Sequence, residues 1–293
     1  MIRRPRNWPV ALTIAGSDSG GGAGVQADLK TFAALGVHGT CAITCLTAQN
    51  PRRILGIEPV SPKMLRQQIE AVYEELHPSA VKTGMLFTAE NIKLVANFFR
   101  NRQSAIGSRQ LIVDPVLVST SGAKLLEPAA VKILKEKLLP LAALVTPNLD
   151  ETEILTGRRP ATVEGMREAA RDIHSRFGCA ALVKGGHLRG GLEAVDIFFD
   201  GKTELLLSAP FVKGIRTHGT GCTYSAAICA ALALGHGLPH AVGIGKEFIT
   251  AAIARSQRIG KHFTLGQPRN SVGAGGRTAG RSSYSATGCS CCS

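Results

Sequence analysis

The chain has 293 residues, 44% of them hydrophobic, and a formal net charge of +13. That apolar content supports a full core, and no apolar run approaches the ~20 residues that a bilayer span requires. The charge does not define a nucleic-acid-binding class. Arg3, Arg4 and Arg6 near the start, and Arg255, Arg258, Lys261, Arg269, Arg277 and Arg281 near the end, carry much of it without any acid between them. Such ends hold polyanions non-specifically, but no helix-turn-helix, zinc-finger or RNA-binding signature accompanies them. The basic start leads into a strand-like run with no apolar signal core, so a cytoplasmic protein is expected. The eight cysteines show no paired metal spacing, and without a secretory signal they do not point to a disulfide framework.

Apolar β-type runs alternate with helical patterns, which predicts a mainly parallel sheet covered by helices. Val10–Ala15 reads as a strand entering the glycine loop Gly16–Gly24, and Val25–Leu35 has helical spacing. Gly39–Thr47 is strand-like, and Met64–Leu76 is an amphipathic helix after Pro62. Ala80–Lys82 predicts a short strand, followed by a helix near Ala89–Arg100. Leu111–Val113 is a buried strand ending on Asp114-Pro115, and a helix near Pro128–Leu138 precedes the strand Ala143–Val145. A helix around Val163–Phe177 leads to the strand Ala180–Val183 and the turn Lys184-Gly-Gly-His187. Ala194–Phe199 and Glu204–Ser208 flank Asp200-Gly201, a hairpin signal. The Gly219–Gly221 loop opens an Ala-rich helix, and a last helix covers roughly Ala241–Arg258. Residues 1–265 read as one domain, and 266–293 as a disordered basic tail of Gly, Ser, Arg and Thr without periodicity.

Strand after strand ends on a polar or glycine motif, the arrangement that places ligands beyond the carboxyl edge of a parallel sheet. In Thr217-His-Gly-Thr-Gly-Cys-Thr223, the glycines permit a tight turn and the following helix directs free N–H groups at an anion. The same field is expected to lower the pKa of Cys222, making it a usable base or nucleophile. A plain glycine-rich turn with a buried cysteine fits that segment equally well. Gly16–Gly24 lacks both the Walker and the dinucleotide spacing, and is suited to seating a small substrate. Asn148 and Glu151 fall on one helical face, fit either for a hydrated Mg²⁺ or for a helix cap. Asp114 is a second strand-end carboxylate, and Lys184 a strand-end cation. Together these are the parts of phosphoryl transfer, which is mainly positioning and charge stabilisation.

From Pro9 to Phe263 the chain resembles the hydroxymethylpyrimidine/phosphomethylpyrimidine kinases of thiamine biosynthesis, within the ribokinase superfamily. The resemblance is carried by the run Leu12–Phe32 and by Thr47-Ala-Gln-Asn50, Lys82-Thr-Gly-Met-Leu86, Val113-Asp-Pro-Val116, Thr146-Pro-Asn-Leu-Asp-Glu151, Val183-Lys-Gly-Gly-His187 and Thr217–Thr223. It implies a three-layer α/β/α sandwich, usually a homodimer, that phosphorylates hydroxymethylpyrimidine and then its monophosphate with ATP and Mg²⁺. By the same resemblance, Gln49, Met85, Gly16 and Asp28 belong to the pyrimidine pocket. Asp114, Glu151 and Asn148 match the Mg²⁺ site, and Lys184 and Thr217 the nucleotide. Gly219, Thr220 and Gly221 form the anion hole, with Cys222 in the position of the catalytic base. A pyridoxal kinase on the same fold is the neighbouring reading. The segment Gly260–Pro268 departs from the Gly-Pro stretch with which the family usually closes.

Overall fold

The computed structural model describes residues 8–102, 110–117, 126, 128–186, 188, 193–212 and 218–267. Strand β1 (Val10–Asp18) leads to helix α1 (Gly24–Ala34), and strand β2 (His38–Asn50) turns into β3 (Arg53–Pro59). Helix α2 (Pro62–Glu75), strand β4 (Ala80–Thr83), helix α3 (Ala89–Arg100) and strand β5 (Leu111–Val113) follow. Helix α4 (Pro128–Ile133) widens into a π-turn over Leu134–Leu138 and tightens to a 3₁₀ turn over Leu139–Leu141. Next come β6 (Leu144–Val145), α5 (Leu149–Thr156), α6 (Val163–Phe177), β7 (Ala180–Lys184), β8 (Glu193–Phe199) and β9 (Glu204–Pro210). The chain then forms α7 (Thr220–Ala233), α8 (Leu238–Ala254) and the small hairpin β10 (Gln257–Ile259) and β11 (His262–Thr264).

Nine strands form one sheet in the order β3-β2-β1-β4-β5-β6-β7-β8-β9. The six from β2 to β7 pair in parallel, while β3 at one edge and the β8–β9 hairpin at the other are antiparallel. The predicted hairpin around Asp200-Gly201 is present, with Gly201 at φ +94°. The edge strand β3 and the hairpin β10–β11 are absent from the sequence reading, because β3 and β10 are largely exposed and the three residues of β11 are only half-buried, so none shows apolar alternation. The predicted helix over Pro128–Leu138 changes winding part-way, since Pro140 enters the next turn and cannot donate a helical hydrogen bond. Of the expected tail at 266–293, only residues 266 and 267 fall within the described part.

Two apolar cores, one on each face, make this a three-layer α/β/α sandwich. One joins Leu12, Ile14, Val81 and Val113 to Leu65 and Ile69 of α2, Ile92 and Val95 of α3, and Met166 and Ile173 of α6. The other joins Ala11, Ile112, Leu144 and Leu182 to Phe32 of α1, Ile228 of α7 and Val242 of α8. Burying a side chain of that size contributes roughly 1.5–3 kcal/mol. Helix α7 is buried almost all round, from Thr223 to Ala233. Its alanines admit α1 and α8 closely, and at Gly245 of α8 a Cβ would lie 2.5 Å from Ile228. The start of α7 is thereby fixed against the carboxyl edge of the parallel strands, where the polar strand-end motifs collect.

Candidate active site

That edge opens into a cleft of about 860 Å³, lined among others by Gly16, Gln49, Met85, Asp114, Glu151, Lys184, Gly219 and Cys222. Gly16, at the end of β1, lies against β2 so closely that a Cβ would sit 2.8 Å from Cys45 Sγ and 3.9 Å from Met85 Sδ. Thr44 Oγ1 donates to the Met85 carbonyl at 2.6 Å and fixes that side of the pocket. Gln49, also on β2, reaches His218 with its amide, Nε2 to Nε2 at 3.0 Å. These three expected pyrimidine-pocket residues do share one end of the cleft.

Asp28 does not. It is fully buried, with Lys82 Nζ at 2.7 and 2.8 Å from its two oxygens and Thr13 Oγ1 donating at 2.6 Å. The reason is helical geometry: Val25, Asp28 and Phe32 share the inward stripe of α1. Asp28 is the counter-ion of a buried lysine beneath the site, which corrects its placement in the substrate pocket. Burial opposes the charge on Lys82, yet the paired carboxylate raises its pKa and holds it protonated.

At the centre of the cleft, Lys184 Nζ stands 3.4 Å from Asp114 Oδ1. Ser225 Oγ donates to Asp114 Oδ2 at 3.0 Å, and Thr146 Oγ1 lies 3.4 Å from Oδ1. A Cβ on Gly221 would lie 3.2 Å from Lys184 Nζ and 3.7 Å from Asp114 Oδ2. Glycine there lets the α7 backbone, a cation and a carboxylate meet at one point. Gly219, the N-cap of α7, has no side chain with which to cap it, and the first N–H groups of a helix have no intrahelical acceptor. Gly219 takes φ +78°, and a Cβ on it would collide with the Gly22 carbonyl. Only glycine lets the two loops touch.

Glu151 and Asn148 form a capping box at the start of α5: Asn148 Oδ1 accepts from Glu151 N at 2.9 Å, and Glu151 Oε2 from Asn148 N at 2.9 Å. Such a cap contributes about 1 kcal/mol. It engages the Asn148 amide oxygen and one Glu151 oxygen alike, and both residues line the cleft. Glu151 Oε1 accepts from Leu117 N at 3.1 Å. Burial and the neighbouring Asp114 carboxylate push the Glu151 pKa up to about 7, against the pull of Lys184. Lys184 keeps its proton, since Asp114 and Glu151 together outweigh the cost of its burial. Two buried carboxylates that oppose each other's charge beside one lysine suit a divalent cation that keeps part of its water shell.

Cys222 sits in the first turn of α7, but its electrostatics are the reverse of those expected. Burial pushes its thiol up to about 11, with the Asp28 and Asp114 carboxylates adding to the rise. The Lys82 ammonium and the Gly24 N–H oppose that rise without overcoming it. In the unliganded chain Cys222 is therefore a thiol at neutral pH. Thr217 and His187 lie outside the described residues.

Three contributors were missed in sequence: Lys82, Asp18 and His218. Asp18 accepts from Gly20 N at 2.8, Gly22 N at 3.1 and Ala23 N at 2.8 Å, and thus organises the first glycine loop. His218 Nε2 stands 3.4 Å from Asp18 Oδ2. An aspartate two residues before a run of glycines was the available sign of such an amide nest.

A glycine-led helix start facing a lysine and paired carboxylates, at the carboxyl edge of an α/β/α sandwich, is the arrangement of a phosphotransferase. The comparisons with known proteins narrow this class. The phosphomethylpyrimidine kinase model matches residues 18–266, and the chain belongs to that family. It is 48% identical over 264 residues to the hydroxymethylpyrimidine/phosphomethylpyrimidine kinase of Rhizobium meliloti, covering 90% of this chain and 96% of that one. It is 47% identical over 250 residues to the thiamine biosynthesis bifunctional protein ThiED of Geobacter sulfurreducens, covering 85% of this chain but 50% of that longer protein. Among solved structures, the ADP complex of Bacillus subtilis pyridoxal kinase superposes with a TM-score of 0.81 at 36% identity, covering 89% of this chain and 98% of that one. No helix among the described residues is long and apolar enough to cross a membrane.

Proposed function

We propose that the chain phosphorylates hydroxymethylpyrimidine to its monophosphate and then to the diphosphate, drawing the γ-phosphoryl group of ATP in both steps, for thiamine biosynthesis. The observation that carries this reading is the meeting of Gly221, Lys184 and Asp114 at the start of α7. Gly16, Gln49 and Met85 hold the pyrimidine at one end of the cleft, and Lys184 and Thr217 hold the nucleotide phosphates. Asp114 and Glu151 hold Mg²⁺, which supplies charge neutralisation on those phosphates when bound.

In the first step the hydroxymethyl oxygen bonds to the γ-phosphorus as the bond to the β-phosphate oxygen breaks, and ADP leaves. The alcohol proton passes to the Cys222 thiolate and from there to solvent. Because the thiol titrates at about 11, the thiolate is scarce at neutral pH but strongly basic once formed. In the second step the attacking atom is a phosphate oxygen already free of a proton, so the Gly219–Gly221 amides and Lys184 act without a base. The chain acts in the cytoplasm as a homodimer.

Incubating the chain with Mg-ATP and hydroxymethylpyrimidine while following product mass tests the reading. Sequential gain of one and then two phosphoryl groups is expected; no gain, or a halt after one, contradicts it. The likeness to a pyridoxal kinase supports a second reading, that a pyridoxine-type alcohol occupies the same pocket. Side-by-side kcat/KM decides between them, since such pockets separate related heteroaromatic alcohols by only a few kcal/mol. A preference for pyridoxal would replace the pyrimidine.

A further inference from the structure

Lys184 and Asp196 stand opposite each other in the antiparallel register of β7 and β8. Residues so paired share a face of the sheet, close enough for opposite charges to interact. Lys184 nevertheless directs its ammonium to Asp114, 3.4 Å away. The Asp196 carboxylate is occupied elsewhere: Oδ1 accepts from Gly185 N at 3.0 Å, and Oδ2 from Lys246 Nζ of α8 at 2.8 Å. Lys246 also donates to the Ala194 carbonyl at 2.8 Å. Both side chains are buried, Asp196 at 4% and Lys246 at 7% exposure, and both line the cleft wall. Gly185, the residue after Lys184, is held a second time by the Val195 carbonyl at 3.0 Å, and a Cβ on it would strike that carbonyl.

We propose that Asp196 and Lys246 are positioning residues for Lys184. Asp196 pins the backbone immediately after Lys184, and Lys246 satisfies the Asp196 carboxylate. The Lys184 ammonium is thereby left to Asp114, Glu151 and the phosphoryl group in transfer. With Lys246 removed, the buried Asp196 carboxylate loses its cation, and Lys184, its partner in register on the opposing strand, is placed to be drawn toward it. The inference rests on the proposed kinase function and concerns the same site.

The test is steady-state kinetics of the full chain, with ATP and hydroxymethylpyrimidine each varied at saturation of the other, for Lys246→Met, Asp196→Asn and the double variant. Lys184→Met sets the floor. Lys246→Met is expected to lower kcat at least about tenfold with the pyrimidine KM unchanged, because the loss falls on the transferring group. The double variant retains an acceptor for Gly185 N–H and has no carboxylate to draw Lys184 away, so kcat returns to within about threefold of the parent. A double variant as slow as Lys246→Met overturns the inference. So does a Lys246→Met that raises only the ATP KM, which would make Lys246 a direct nucleotide contact. Should Lys246→Met fail to fold, Asp196→Ala decides: it removes the Gly185 acceptor, so kcat should fall at least about tenfold while Asp196→Asn, which keeps it, falls less; an Asp196→Ala as active as the parent overturns the inference. An inactive parent chain would fail the proposed function itself, whereas an active parent with an unrescued double variant fails only this inference.

Discussion

In the first glycine loop the amides of Gly20, Gly22 and Ala23 all donate to one carboxylate, Asp18, whereas Gly219, the N-cap of α7, has no side chain with which to cap it. Both loops lead into a helix and both are rich in glycine. Yet one turns its donors inward onto an internal anion, and the other starts at a glycine that lines the cleft. The first can offer a neutral heterocycle shape and a few fixed contacts through Gly16 and its neighbours. In the proposed reaction the second binds the charge that moves. The pair touches where Gly219 passes the Gly22 carbonyl, and His218 joins Asp18 to Gln49. The proposed substrate seat and anion seat are therefore in direct contact.

The largest effect should come from closing that contact. Gly219→Ala forces a Cβ into the Gly22 carbonyl at a positive φ, and it is expected to slow both phosphorylations by about 10²–10³-fold, as loss of oxyanion donors does. Kinetics with the alcohol and with the monophosphate check this, and an effect on one substrate alone would separate the loops again.

The next effect concerns Cys222. A thiol raised to about 11 from an ordinary 9.0 holds about a hundredfold less thiolate at pH 8, since each unit is a factor of ten. Alkylation of Cys222 by iodoacetamide in the unliganded chain should be slower than that of an ordinary thiol by about that factor. The rate should rise about tenfold per pH unit as the proton is lost. Labelling faster than an ordinary thiol would mean that the α7 start outweighs burial there.

A smaller effect is expected at Asp18. Asp18→Ala removes the acceptor of three loop amides and should raise the pyrimidine KM about tenfold, roughly the free energy of one charged hydrogen bond. The ATP KM should stay unchanged. A matching rise in the ATP KM would show that the two loops fail together.

Much of this was legible in the chain. The alternation of apolar runs and helical spacing gave the parallel sheet, and polar residues at successive strand ends marked its working edge. Edge strand β3 left no trace because its side chains are mostly exposed, and alternation appears only where one face is buried. Asp28 was misplaced because the resemblance set it with the pyrimidine pocket. Its spacing from Val25 and Phe32 already put it on the inward stripe of α1. Lys82, lying within the wholly buried β4, is the partner that such a carboxylate needs. Cys222 was misjudged for a different reason: the helix start was weighed without burial or the two carboxylates around it. Those come from β5 and α1, and only the folded chain brings them together.

In the proposed reaction the α7 loop serves both phosphorylations and Cys222 serves only the first. The most direct measurement is kcat of Cys222→Ala with hydroxymethylpyrimidine and, separately, with its monophosphate. The alcohol step should fall by about 10²-fold or more, the usual contribution of a general base, while the monophosphate step stays within a few-fold of the parent. Equal losses in both steps would contradict the account and make Cys222 part of the anion seat.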